Sequence, residues 1–115
     1  MNPATERKLL GLLGLGLRAR TAVVGVEQVR SAAKKGRLRL AVVAPDASQN
    51  SLDKVLPLLR AKRVRVIEGP SASVLGAAVG RNATAAVGIV DHDLARGIRA
   101  IADQGPAGAQ QEGRF

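Results

Sequence analysis

The residues best suited to metal binding or acid–base catalysis form one triplet, Asp91-His92-Asp93. His92 is the only histidine of the chain, and the absence of cysteine removes any thiolate nucleophile or ligand. Adjacent residues at the start of a helix point in different directions, and aspartates there cap the helix and complement its dipole. The remaining carboxylates are scattered, with no pair at helical spacing. We therefore predict no catalytic residue, no metal site, no cofactor and no enzymatic activity.

Groups that bind phosphate are concentrated between Arg18 and Arg39, where the sequence has seven cations and one acid, Glu27. Lysine and arginine contact phosphates and contribute affinity without sequence preference. Amides and carboxylates match the donor and acceptor patterns of base edges, so Glu27, Gln28 and Ser31 are the candidates for base contacts. A solvated basic face without a partner remains the alternative for any one of the cations.

A short helix followed by a strand would position these groups. Apolar residues recur at helical spacing from Val26 to Lys35, and the opposite side of that helix is polar. Gly36 would form a tight turn, and the apolar run Leu38–Ala44 is typical of a strand covered on both faces. A polar loop then opens the next helix. The stretch predicts a rigid scaffold that presents a helix end to a polyanion.

Helices and strands alternate along the rest of the chain, which predicts an α/β fold of three layers. Pro57 lies inside a helical pattern and predicts a kink or two short helices. One domain is expected over residues 1–103, followed by a flexible tail, 104–115. The other predicted elements are a helix from a Thr5 cap to Leu17, strand Thr21–Val24, a helix capped by Asn50 or Ser51, strand Val64–Ile67, a helix from Ser71 or Ser73 to Val79, strand Ala85–Val90 and a helix capped by Asp91.

The composition narrows the kind of partner. The net charge is +9, which favours a polyanion, and no apolar run approaches the roughly 18 residues of a membrane span. Single-strand binders stack bases on aromatic side chains, whereas aromatic residues make up 1% of this chain. We therefore predict a structured nucleic acid recognised by its shape, and no membrane partner. A cytoplasmic location is expected because no signal segment is recognisable.

Four motifs occur in an order and spacing that point to a known family. They are the opening helix Leu9–Leu17, Gly25–Arg30 (GVEQVR) followed by Gly36, Leu40–Ser48 (LAVVAPDAS) and Leu75–Gly80 (LGAAVG). Together they resemble the ribosomal L7Ae/L30e superfamily of kink-turn RNA-binding proteins. The stretch Asp46–Ser51 (DASQNS) and the opening helix look most like its bacterial YlxQ-like branch. The resemblance extends over nearly the whole chain.

The resemblance implies a three-layer α-β-α sandwich around a four-stranded mixed sheet. It also implies binding of kink-turn RNA, a sharply bent duplex with tandem sheared G·A pairs. The helix after the family glycine would enter the major groove at those pairs, and a second loop, 69–74, would pack on an extruded nucleotide. The implied RNA-binding residues are Gly25, Val26, Glu27, Gln28, Arg30, Ser31, Lys34, Lys35, Arg37, Asp46, Pro70, Ser71 and Val74.

Not every position follows the family pattern. Gly25 and Asp46 match it, whereas Glu27, Gln28 and Ser31 replace the Asn, Glu and Lys of archaeal members. We expect altered base-edge specificity, with the cations of this helix supplying more of the affinity. The expected partners are a kink-turn or internal-loop RNA and the ribosome or another ribonucleoprotein. The alternative is a protein-interaction or assembly module of the translation or ribosome machinery on the same scaffold.

Overall fold

Five helices and four strands alternate along residues 1–103, the residues that this computed structural model describes. The tail expected over 104–115 lies outside the described residues. The elements are α1 Pro3–Arg18, β1 Ala22–Val24, α2 Val26–Lys34, β2 Leu40–Val43, α3 Gln49–Ala61, β3 Arg65–Glu68, α4 Ala72–Ala78, β4 Ala86–Ile89 and α5 His92–Ala102.

The four strands form one mixed sheet in the order β1-β4-β2-β3. β4 runs antiparallel to both of its neighbours, β1 and β2, whereas β2 and β3 are parallel. A parallel pair needs a crossover connection, and α3 provides it. The sheet therefore agrees with the four-stranded mixed sheet that the resemblance implied.

Helices cover both faces of the sheet, and the alternating side chains of β2 show how. Leu40 and Val42 pack into a core shared with α1, α4 and α5. Ala41 and Val43 pack on the opposite face against α2 and α3. All four residues are fully buried, as expected of a strand between two layers of helices. The three-layer α-β-α sandwich is confirmed.

Two helices begin earlier than predicted because a different residue caps each of them. Asn2, not Thr5, caps α1: the Asn2 side chain accepts the Thr5 N–H at 2.8 Å, and a proline occupies the first helical position, where a missing N–H does no harm. Ser48, not Asn50 or Ser51, caps α3 and accepts the Ser51 N–H at 3.1 Å.

α3 continues through Pro57 without dividing into two short helices. A proline inside a helix costs about 3 kcal/mol, because it removes one hydrogen bond and crowds the preceding turn. Pro57 is exposed, whereas Val55 and Leu59 on either side of it are completely buried. Packing of both halves against the same face of the sheet offsets the cost and keeps the helix in one piece.

Candidate nucleic-acid interface

One end of the sheet brings together the starts of three helices. The Gly25 N–H donates to the Ala86 carbonyl at 2.9 Å, and the Gly69 N–H donates to the Val43 carbonyl at 2.9 Å. These bonds place the ends of β1, β2 and β3 beside the start of β4, so α2, α3 and α4 all begin there. We call this the helix-start end, made of Gly25, residues 44–48 and residues 69–71. The positive ends of three helix dipoles converge on it.

Gly25 caps α2 without a side chain. Its backbone has φ 96° and ψ 160°, a conformation that other residues rarely adopt, and an added Cβ would have no atom within 4 Å. Ser48 and Ser71 cap the neighbouring helices with hydroxyl groups, but within residues 1–103 no side chain caps the first turn of α2. The open space leaves room for an external acceptor, such as a phosphate or a base edge, and the N–H groups of the first turn are available to donate to it.

The two faces of α2 differ as the sequence predicted. Val29, Ala32 and Ala33 are buried against the sheet, and Val26 is half-buried in the same core. The opposite face carries the polar residues predicted to contact RNA. Glu27, Gln28 and Lys34 are exposed there, and Arg30 and Ser31 are partly buried.

Arg30 has a structural partner that the sequence did not reveal. Its Nη1 donates to the Lys54 carbonyl of α3 at 2.5 Å. A guanidinium has five N–H donors, so this bond uses only part of its capacity. Arg30 therefore links α2 to α3. Its remaining N–H donors can contact a ligand while this bond is kept.

Asp46 joins the two loops that were predicted separately. Its Oδ1 accepts the Ala72 N–H at the start of α4, at 2.7 Å, and the Ala72 carbonyl accepts the Thr84 N–H at 3.0 Å. A carboxylate also complements the positive end of the α4 dipole. Asp46 thus positions the 69–74 loop.

That loop presents one apolar side chain to solvent. Ser71 accepts the Val74 N–H at 3.3 Å and caps α4, Pro70 is half-buried, and Val74 is 37% exposed. Gly69 is tightly enclosed, because an added Cβ would lie 2.5 Å from Cγ1 of Val42. The loop therefore places Val74 in the first turn of α4, next to the helix-start end, where an apolar base face could pack on it.

The predicted cations lie away from these groups. α2 is about 13 Å long at 1.5 Å per residue. Lys34 ends its last turn, and Lys35 and Arg37 follow, at the end of the sheet where β2 and β3 begin. The residues listed from the sequence therefore divide between the two ends of the sheet. We call the end of the sheet that holds Lys35 and Arg37 the basic end. It consists of the turns 18–21, 35–39 and 62–64 with the adjacent face of α5.

A groove runs beside α2 from Gln28 in its first turn to the basic end. It encloses about 230 Å³ and is lined by Arg20, Gln28, Ser31, Lys35 and Arg37, with three apolar residues. Four of these polar residues were named from the sequence. Arg20 was not, since it precedes β1 and only the pairing of β1 with β4 brings it there.

The triplet at the start of α5 has the structural roles expected of it. Asp91 accepts the Leu94 N–H at 2.8 Å and caps the helix, and Asp93 pairs with Arg96 at 3.2 Å on the surface. In residues 1–103 no three His, Cys, Asp or Glu side chains are grouped as a metal would require. No helix in the same range has the length and hydropathy needed to cross a membrane.

Comparison with known proteins yields a family and a named relative. The sequence model of the ribosomal protein L7Ae/L30e/S12e/Gadd45 family matches residues 7–97. RNA-binding protein YlxQ of Bacillus subtilis is 32% identical over 92 residues, which are 80% of this chain and 92% of that protein.

Two solved structures are similar to this one. A Bacillus halodurans protein of unknown function has a TM-score of 0.77 and 31% identity, over 84% of this chain and 98% of its own. The 15.5 kD RNA-binding protein of Giardia lamblia has a TM-score of 0.69 and 22% identity, over 99% of this chain and 89% of its own. The second likeness concerns the fold alone.

Proposed function

Because the chain belongs to the ribosomal protein L7Ae/L30e/S12e/Gadd45 family and is a YlxQ-like member of it, we propose that it is a non-enzymatic protein that binds structured RNA through its helix-start end. The family match and the relative named as RNA-binding support the binding of RNA. The finer part of the proposal is that the RNA is a kink-turn or a similar internal loop.

The uncapped start of α2 is the observation that carries the proposal. Helix N-termini bind anions through free N–H groups and the helix dipole. In α3 and α4 a serine side chain already accepts one of these N–H groups. Gly25 has no side chain to bond the first turn of α2, and the space where its Cβ would lie is open. Exposed Glu27 and Gln28 stand beside that opening and can bond base edges.

Two further features favour a kinked RNA over a regular duplex. The deep, narrow major groove of A-form RNA excludes side chains, so a helix such as α2 needs a groove that a kink has opened. Val74 offers an apolar surface, held by the bond between Asp46 and Ala72, on which one unstacked base can pack. A regular duplex has no such base.

A binding assay with matched RNAs tests the proposal. A kink-turn duplex should bind more tightly than a duplex of the same length whose G·A pairs are replaced by Watson–Crick pairs. The assay is run at about 0.15–0.2 M salt, where non-specific phosphate contacts weaken. Equal affinity for both RNAs would refute kink-turn recognition, and no measurable affinity for either would refute RNA binding.

A protein-binding role is the second candidate, and one observation favours it. Leu15 and Leu17 near the end of α1 are 52% and 37% exposed. An assembly module of the translation or ribosome machinery could dock on them. In that case Leu15→Glu with Leu17→Glu should abolish capture of a purified ribosomal partner and spare RNA binding. Charge reversal at Lys34 and Lys35 should do the opposite.

A further inference from the structure

A cavity of about 380 Å³ lies at the basic end, on the far side of the molecule from the start of α2. Three segments enclose it: the α2–β2 turn, the α3–β3 turn and one face of α5. The two turns lie side by side because β2 and β3 start together in parallel register. The Arg39 N–H donates to the Ile89 carbonyl at 2.7 Å, which brings the start of α5 to the same place.

Cations dominate the lining of this cavity. Arg39, Lys62, Arg63 and Arg99 all border it, together with His92, and no carboxylate does. Within residues 1–103 none of the four has a carboxylate partner, because the nearby acids pair elsewhere, Asp93 with Arg96 and Asp103 with Arg65. Three guanidinium groups around one open cavity suit phosphate oxygens, which accept paired N–H donors.

The backbone at Arg63 takes a left-handed conformation that a residue with a Cβ adopts only at a cost. Four helices end in the same hydrogen-bonded motif, in which the residue after the C-cap takes a left-handed conformation. In α2 and α4 that residue is a glycine, Gly36 or Gly80, but in α1 and α3 it is Arg20 with φ 63° or Arg63 with φ 56°. Left-handed backbone strains any residue with a Cβ, and such strain is concentrated at functional sites. Each of these two arginines borders a cavity.

We propose that the cavity at the basic end binds backbone phosphates of an RNA segment outside the one held at the helix-start end. No aromatic side chain borders the cavity, so it lacks the platform on which a base would stack. The groove beside α2 is lined by Gln28 and Ser31 along the helix and by Arg20, Lys35 and Arg37 at the basic end, so it forms a path from the first turn of α2 toward these cations. A duplex arm that leaves the start of α2 would follow this path into the cavity. The inference rests on the proposed function for the identity of the ligand.

Three substitutions remove three of the four cations that line the cavity, and three others serve as a matched control. The test variant is Arg39→Gln, Arg63→Gly and Arg99→Gln. The control removes the same charge from exposed positions elsewhere: Arg7→Gln, Lys8→Gln and Arg96→Gln. Arg96 is on the same helix as Arg99 but does not border the cavity. Arg63→Gly also relieves the left-handed strain, so the test variant should not lose thermal stability because of that change.

The RNAs are a kink-turn with short arms, the same kink-turn with one long arm, and a plain duplex. Wild-type protein should bind the long-armed RNA more tightly than the short-armed one. The test variant should lose at least tenfold in affinity for the long-armed RNA at about 0.1 M salt, since each phosphate contact contributes roughly 0.7–0.9 to the salt slope. Its slope should fall by about 2–3, and the preference for the long arm should disappear. The control variant should change affinity less than threefold.

Each other result has a defined meaning. Equal losses in the test and control variants would overturn the site in favour of diffuse charge. Binding of inorganic tripolyphosphate is measured for the same proteins. If the test variant loses tripolyphosphate binding but keeps its RNA binding, RNA is overturned as the ligand in favour of a small anion. A melting temperature lowered in the test variant alone, with RNA binding unchanged, would overturn the site and show that the three cations contribute to stability only. If the kink-turn is not preferred but binding of the plain duplex still depends on the three residues, kink-turn recognition at the helix-start end is refuted and the phosphate site stands.

Discussion

At the scale of single residues, ligand binding at the helix-start end depends on the absence of a side chain at Gly25. Gly25 occupies a conformation that strains other residues, and it has no side chain to bond the first turn of α2. Ser48 and Ser71 do bond the first turns of α3 and α4. The contrast is chemical as well as conformational, since a hydroxyl at position 25 would compete with a ligand for the same N–H groups.

Replacing Gly25 with alanine should lower the free energy of unfolding by about 1–2 kcal/mol, because the left-handed backbone disfavours a Cβ although the space around it is open. Gly11→Ala is the matched control: Gly11 lies inside α1, with no atom within 4 Å of an added Cβ. That change should raise stability by about 0.5–1 kcal/mol. Urea unfolding of both variants gives the two values. A stable Gly25→Ala variant would show that the backbone at residue 25 can relax.

Asp46→Ala should loosen the start of α4. The Ala72 N–H loses the acceptor that now lies at 2.7 Å, which costs about 0.5–1.5 kcal/mol for a bond of this type. Hydrogen exchange at Ala72 should therefore become faster. Asp46→Asn keeps an oxygen acceptor and should retain slow exchange. Equal exchange in the two variants would mean that the bond does not hold the loop.

At the scale of elements, α2 and α3 form one layer whose packing is specified on both sides. Val29 of α2 and Val55 of α3 are completely buried under the sheet, and Arg30 joins the two helices through the Lys54 carbonyl. This layer fixes the direction in which α2 points its polar face. Because buried contacts hold the two helices in place, exposed residues on the polar face of α2, such as Glu27 and Gln28, are not needed for packing.

Pro57→Ala should stabilise α3. The helix is continuous at this position and Pro57 is exposed, so alanine restores a backbone hydrogen bond without disturbing the core. An increase of about 1–3 kcal/mol in the free energy of unfolding is expected, measured by urea or thermal denaturation. A decrease would indicate that the proline sets a bend on which the packing of Leu59 depends.

At the scale of the whole molecule, the charge of +9 is spread over a body of 32 × 30 × 27 Å. The screening length is about 30 Å in 0.01 M salt and about 8 Å in 0.15 M salt. At low salt every cation therefore repels most of the others across the molecule. The concentration of these charges at the basic end makes the repulsion strongest there, and an anionic ligand would relieve it.

The protein should consequently become more stable as salt is added. The melting temperature is expected to rise between about 0.01 and 0.15 M sodium chloride, because screening reduces repulsion in the compact state. The variant Arg39→Gln, Arg63→Gly, Arg99→Gln should show a smaller rise than wild type. Calorimetry or circular dichroism at several salt concentrations measures both. A melting temperature independent of salt would mean that the charges are too far apart to interact.

Periodicity and local chemistry in the sequence were enough to determine the elements. The apolar spacing of α2, the unbroken apolar run of β2 and the Asp91 cap can be read from neighbouring residues, because helix and strand periods and capping bonds span only a few positions. The caps of α1 and α3 were misplaced by a turn or less, since several polar residues in each loop were chemically able to serve.

Only the tertiary structure decided which of these elements share a surface. The order β1-β4-β2-β3 brings Gly25, Asp46 and the 69–74 loop to one end of the sheet, and the parallel start of β2 and β3 brings Arg39 and Arg63 to the other. Such contacts join residues far apart in the chain, and no local pattern records them. The left-handed backbone of Arg20 and Arg63 was hidden for a related reason. Sequence signals for that conformation rely on glycine, and here the surrounding fold imposes it on arginine.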